Sequence, residues 1–221
     1  MSLVTAAQLQ RFAPGCDFMA LGQAFDRECV RVAINTPRRI RHFMAQLYVE
    51  SAGLKRLEES LTYSAARLCE VWPSRFPTIA AAAPYAGKPQ ALAEKVYGGR
   101  LGNNEAGDGW RFRGRGFMQI TGRANYGRAE ALSGLPLVAQ PDLAAVPANA
   151  VRLAADYWDL HGINALVDQD AGETGFLATC ERLAANEDDD VAQARRAING
   201  GAIGLAEAKA ALLRAAAVWP G

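Results

Sequence analysis

Gly114-Arg115-Gly116-Phe117-Met118-Gln119-Ile120-Thr121-Gly122-Arg123-Ala124-Asn125-Tyr126 is the stretch that decides how this 221-residue chain is read. It closes a glycine-rich run that begins at Tyr97 and passes through Gly98, Gly99, Gly102, Gly107 and Gly109. Glycine at that density disfavours regular helix and implies a backbone that turns tightly and comes close to something else. Arg111, Arg113 and Arg115 alternate with Phe112 and glycines, the pattern of a short extended piece with its charges on one face. Gln119, Thr121 and Asn125 then offer neutral hydrogen-bonding groups, and Tyr126 an aromatic plane. Sugar hydroxyls and N-acetyl amides need such paired donors and acceptors, and pyranose rings pack on aromatic faces.

Upstream, the spacing predicts an amphipathic helix from Pro37 to Ala52, with Thr36 as N-cap, Pro37 in the first turn, and Ile40, Phe43, Met44, Leu47 and Ser51 along one side. Glu50 falls on the flank of that stripe, where a carboxyl is half-desolvated without being entombed. Burial disfavours the charged form of a carboxyl, which is what a proton donor to a departing sugar oxygen requires. Glu59 would lie on the opposite side of a continued helix, so a break is needed, and Gly53 supplies it. A turn there lets Glu59 face Glu50 across a groove. Spacing alone equally allows both to be solvated helix-end charges, with Glu58 and Glu59 interchangeable.

Four segments taken together resemble glycoside hydrolase family 19, in the phage and prophage endolysin branch. They are Glu50-Ser51-Ala52-Gly53, Leu61-Thr62-Tyr63-Ser64-Ala65, the run from Gly107 to Gly116, and Gln119 to Tyr126. Arg196-Ala197-Ile198-Asn199-Gly200-Gly201 is similar to a further family segment, so the resemblance covers about Ala20 to Leu205. It implies that Glu50 is the general acid, that Glu59 is the base activating water, and that Thr121 helps hold that water. It also implies that Gln119, Asn125, Tyr126 and Asn199 line the sugar groove, with Tyr63 and Ser64 at its edge; Trp110 and Arg115, within the glycine-rich run, are added as candidate contacts. Many relatives carry His immediately before the acid, where this chain has Val49.

The expected fold is mainly α: a lysozyme-like, two-lobed helical domain with a central substrate groove, formed by residues 1–221 as one catalytic domain with a smaller lobe roughly within 58–110. Helical patterns fall at about 5–11, 17–35, 37–52, 64–72, 88–96, 126–133, 149–161, 175–185, 188–198 and 205–218. Half the residues are hydrophobic and alanine is abundant, which suits close helix packing; any sheet should be small.

A net charge of +1 argues against electrostatic nucleic-acid binding, and no phosphate-cradling Gly-Lys-Ser or Gly-Lys-Thr loop is present. The loop from Gly102 to Gly109 lacks the spaced acidic ligands of a calcium site. Four cysteines without close pairing and two histidines give no zinc pattern, so no metal or cofactor is expected and the cysteines read as reduced. The first residues lack a secretory pattern, and no segment is apolar enough to insert stably in a bilayer. The expected activity is hydrolysis of the β-1,4 glycan strand of peptidoglycan with inversion. Synthesis would be cytoplasmic, with action at the cell wall or periplasm after holin-dependent release or specialised secretion. Chitin is the alternative substrate, and a silent glycan-binding domain the alternative outside enzymes.

Overall fold

The computed structural model describes residues 2–169 and 202–220. Asn199, Cys180 and the helical patterns at about 175–185 and 188–198 lie outside the described residues. The elements are α1 (Ala6–Phe12), α2 (Phe18–Arg31), α3 (Pro37–Glu50), α4 (Ala65–Val71), α5 (Ile79–Ala82), α6 (Pro89–Tyr97), α7 (Asp108–Arg111), α8 (Arg123–Ser133), α9 (Pro147–Leu160), α10 (Ile163–Gln169) and α11 (Ala202–Val218). The chain is mainly helical, and among the described residues the only β pairing is two isolated bridges, Glu58 with Arg115 and Arg115 with Ile120.

The helix starts follow local chemistry. The side chains of Thr5, Asp17, Thr36, Ser64 and Thr78 each accept a hydrogen bond from the amide three residues on, closing the first turn of α1 to α5. Pro37, Pro89 and Pro147 sit in the first turn of their helices, where a missing N–H costs nothing.

Apolar side chains gather into three main clusters. The first joins α1, α2, α3, α9, α10 and the Trp219 end through Leu9, Phe12, Phe25, Phe43, Met44, Leu47, Trp158 and Trp219. Edge-to-face rings tie it together, with Phe43 and Trp158 at 5.1 Å and Phe12 and Trp219 at 5.4 Å. The second draws only on residues from Leu61 to Tyr97, with Leu101 and Trp110 against its margin. The third, from Phe112, Tyr126, Leu137, Ala144 and Leu153, lies under the start of α8. At about 1.5–3 kcal/mol for each large side chain fully buried, each cluster fixes its neighbouring backbone. Residues 51–60 connect the first cluster to the second, and 111–117 lead back: Phe112 is seated in the third cluster, while Phe117 is buried in the first and stacks on Phe25 at 6.0 Å.

Candidate active site

Glu50 is the last residue of α3 and is half-buried; its Oε1 lies 3.4 Å from Gln46 Nε2, one turn earlier. The break after it is more elaborate than a glycine stop. Ala52, Gly53 and Leu54 have φ of 52°, 81° and 62°, three left-handed residues in succession. Glycine takes that conformation freely, whereas each L side chain there costs about 1 kcal/mol or more. Two groups hold the turn. Leu54 is buried in the first cluster, and the Ser51 hydroxyl, fully buried, donates to Leu47 O and accepts from Leu54 N at 3.0 Å. The amides of Lys55 and Arg56 both donate to Ser51 O.

The turn lays residues 57–59 antiparallel to 114–116, through Gly116 N to Leu57 O at 2.8 Å and Glu59 N to Gly114 O at 3.0 Å. Arg115 and Ile120 then exchange backbone bonds of 3.2 and 2.9 Å across a tight reversal containing Gly116 (φ 73°) and Gln119 (φ 49°). Three short extended pieces therefore lie side by side. Glu59 is at the centre of the result. Its Oε1 accepts from Gly114 N at 2.5 Å and its Oε2 from the Tyr97 hydroxyl at 2.8 Å. A methyl group placed on Gly114 would stand 3.1 Å from Gln119 Oε1, 3.2 Å from Glu59 Oε1 and 3.2 Å from Thr121 Oγ1. Glu59, Gln119 and Thr121, each singled out from sequence, thus converge on one glycine. Thr121 Oγ1 donates to Gln119 O at 2.9 Å and Gln119 Nε2 to Gly116 O at 2.8 Å, so both side chains are oriented by the same reversal.

The two adjacent glutamates are separated by their surroundings. Glu58 is exposed and ion-paired, 2.7 Å from Arg113 Nη2 and 3.8 Å from Arg115 Nε, whereas Glu59 turns into the polar cluster. Of the three arginines expected on one extended face, Arg111 ends the single turn of α7, and only Arg113 and Arg115 reach Glu58.

Two expected groove contacts are corrected by burial. Arg115 is 1% exposed and Tyr126 0%, so neither offers a surface to a ligand. Arg115 instead donates to Arg111 O at 2.8 Å and the Tyr126 hydroxyl at 3.0 Å, and pairs with Asp142 at 2.6 Å. Tyr126 in turn donates to Arg113 O at 2.8 Å, and burial pushes its hydroxyl pKa up to about 12. Together they prop the 111–115 backbone from below.

The other expected contacts have local duties. Trp110 is half-buried against the second cluster, with the Arg113 guanidinium 4.0 Å over its ring. Asn125 donates to Thr121 O at 2.8 Å, one turn back. Ser64 caps α4. Tyr63 meets Trp72 edge to face at 5.5 Å; burial raises its hydroxyl pKa, and the nearby negative charge of Glu59 adds to the rise.

Sequence reasoning missed Tyr97, whose spacing with Leu92, Ala93 and Val96 reads as core. It also missed the clamp on the glycine-rich loop. Asp108, 2% exposed, takes Arg123 Nε at 2.9 Å and Nη2 at 2.6 Å, and Arg123 N donates to Asn103 Oδ1 at 2.8 Å. Gly122 (φ 89°) makes this approach possible, since a Cβ there would lie 2.3 Å from Leu101 Cβ. The loop from Gly102 to Gly109 is therefore pinned to the start of α8, directly after Thr121. Among the described residues no three His, Cys, Asp or Glu side chains are grouped to hold a metal ion.

No family model matches the sequence. A glycosyl hydrolase family 19 domain-containing protein of Haemophilus influenzae (strain ATCC 51907 / DSM 11121 / KW20 / Rd) is 34% identical over 167 residues, covering 75% of this chain and 72% of that protein. Chitinase C from Streptomyces griseus HUT6037 has a similar fold, with a TM-score of 0.56 at 16% identity over 98% of this chain and 76% of the chitinase chain. The helical scaffold is thus that of a lysozyme-like chitinase fold, and the sequence likeness to the Haemophilus protein extends through three-quarters of the chain. This protein belongs to glycoside hydrolase family 19.

Proposed function

We propose that this glycoside hydrolase is endolysin-like and cleaves the β-1,4-linked amino-sugar strand of peptidoglycan with inversion of the anomeric carbon. The observation that carries the chemistry is the convergence of Glu59, Gln119 and Thr121 on Gly114, with Glu59 following Glu50, the last residue of α3, through the left-handed turn at 52–54. Glu50 donates a proton to the glycosidic oxygen as its bond to the anomeric carbon breaks. Water attacks that carbon from the opposite face, and Glu59 takes the proton it sheds. Thr121 Oγ1 and Gln119 Oε1, beside the Glu59 carboxylate, are the polar atoms that hold the water in line. An inverting pair spans about 6.5–9.5 Å to admit that water. The glycan lies between the body built on the first cluster and a smaller lobe built on the second.

The choice of peptidoglycan rests on the resemblance of the four segments to the endolysin branch. Release to the cell wall would follow with a holin-type partner or by a specialised secretion route. Chitin is the second reading, favoured by the chitinase named above. Glu50→Gln and Glu59→Gln should each abolish turnover of purified peptidoglycan while preserving the thermal melt; full activity in either removes that residue from its role. Mass spectrometry of products from peptidoglycan and from chitin oligomers, read for muramic acid or glucosamine reducing ends, decides the substrate. NMR of the first-formed anomer tests inversion.

A further inference from the structure

We infer that Tyr97 is a positioning residue for Glu59: its hydroxyl fixes the orientation of the carboxylate and keeps it ionised. The inference rests on reading Glu59 as the base. Tyr97 is the last residue of α6, and its ring is 6% exposed within the second cluster. Phenylalanine would fill that apolar space as well, so the hydroxyl is the part that packing does not explain. It donates to Glu59 Oε2 at 2.8 Å, while Gly114 N donates to Oε1 at 2.5 Å. The two donors bond different oxygens and come from different elements, one from α6 and one from the returning 114–116 segment. Rotation of the carboxylate would break at least one of them.

The donor is itself held. The carbonyl of Tyr97 accepts from Asn103 Nδ2 at 3.0 Å, and Asn103 Oδ1 accepts from Arg123 N, so the loop clamp also steadies the end of α6. An ionised carboxylate only accepts hydrogen bonds, and donation to it favours the charged form. A base that must be ionised to take a proton from the attacking water gains from that preference across the acidic range.

The test is Tyr97→Phe, which removes one oxygen and keeps the ring. The expected kcat falls about tenfold or more, with KM within about twofold, since a positioned base contributes roughly 10²–10⁴ to rate. Loss of a donor destabilises the ionised form, so the carboxylate pKa rises and the acid limb of kcat moves to higher pH, by about one pH unit for a hydrogen bond to a charged group. ¹³C NMR titration of Glu59, assigned against Glu59→Gln, reads the same rise without turnover. An unmoved acid limb and an unmoved Glu59 titration overturn the inference, even if the variant melts earlier, because a structural hydroxyl would affect stability alone. Turnover retained by Glu59→Gln sinks the base assignment itself, whereas a dead Glu59→Gln beside an unshifted Tyr97→Phe sinks only the role of Tyr97.

Discussion

Gly114→Ala is the sharpest single perturbation of the site. Ordinary contact begins at 3.4 Å, and the added methyl would sit 3.1 Å from Gln119 Oε1 and 3.2 Å from both Glu59 Oε1 and Thr121 Oγ1. Each of the three oxygens must therefore retreat by roughly 0.2–0.3 Å, a displacement at the scale where catalytic geometry is lost. None retreats freely. Glu59 is held by Tyr97 and by the backbone of Gly114, Thr121 by Gln119 O, and Gln119 by Gly116 O. Over-packing of this kind costs about 1–3 kcal/mol in stability. With a 1 Å misplacement worth about 10²-fold, three coupled smaller shifts should lower kcat about tenfold. The assay is release of reducing ends from purified peptidoglycan, beside a thermal melt. Gly127→Ala is the control: it lies in α8 with its nearest neighbour at 3.9 Å, and should gain about 0.5–1 kcal/mol with activity unchanged. A Gly114→Ala enzyme with wild-type kcat would refute the placement of these three side chains at the reacting centre.

Other outcomes follow from the same contacts. Glu58→Gln loses an exposed ion pair and should keep most turnover, whereas Glu59→Gln keeps none; parallel rates on peptidoglycan check the distinction. Arg115→Ala removes a buried guanidinium and three of its partners, and should cost about 2–4 kcal/mol in urea denaturation. Arg123 hydrogen bonds hold the Asp108 carboxyl below its ordinary pKa, so the stabilisation is complete above the unfolded value of about 3.9 and is lost as pH falls through the folded one. Asp108→Asn should therefore be less stable at neutral pH and lose less between about pH 4 and 2, read by acid titration of the melt. Burial pushes the Cys29 thiol up to about 12, so at pH 8 its alkylation, mapped by peptide mass spectrometry, should proceed only with unfolding, while half-buried Cys69 reacts in the native state.

The helical scaffold was legible because capping and periodicity are local. Thr36, Pro37 and the Ile40 to Leu47 stripe announce α3, which the pattern carries to Ala52 and the structure ends at Glu50. Gly53 marks the break, but Ala52 and Leu54 also adopt left-handed backbone, which no propensity signals; the buried Ser51 and Leu54 impose it. Gln119 and Thr121 could be picked out because polar groups in a glycine-rich run have few packing reasons to be there. Arg115 and Tyr126 misled for the same cause. A buried cation hydrogen-bonded to backbone carbonyls looks, in sequence, like one facing a ligand. The separation of Glu58 from Glu59 depends on a partner 55 residues away and is invisible locally.

Leu57 to Glu59 and Gly114 to Gly116 form the neck through which the chain departs and comes home, and the second cluster is built wholly between them. Such an arrangement makes residues 60–113 a cassette whose two splice points are already hydrogen-bonded to each other. Exchanging that cassette between relatives would carry Tyr97 and the Asp108 half of the loop clamp to a new host while leaving α3, the Gln119 reversal and Arg123 behind. Chimeras cut at the neck, with Arg123 matched to the incoming Asp108, should thus keep the thermal tolerance of the recipient's first cluster.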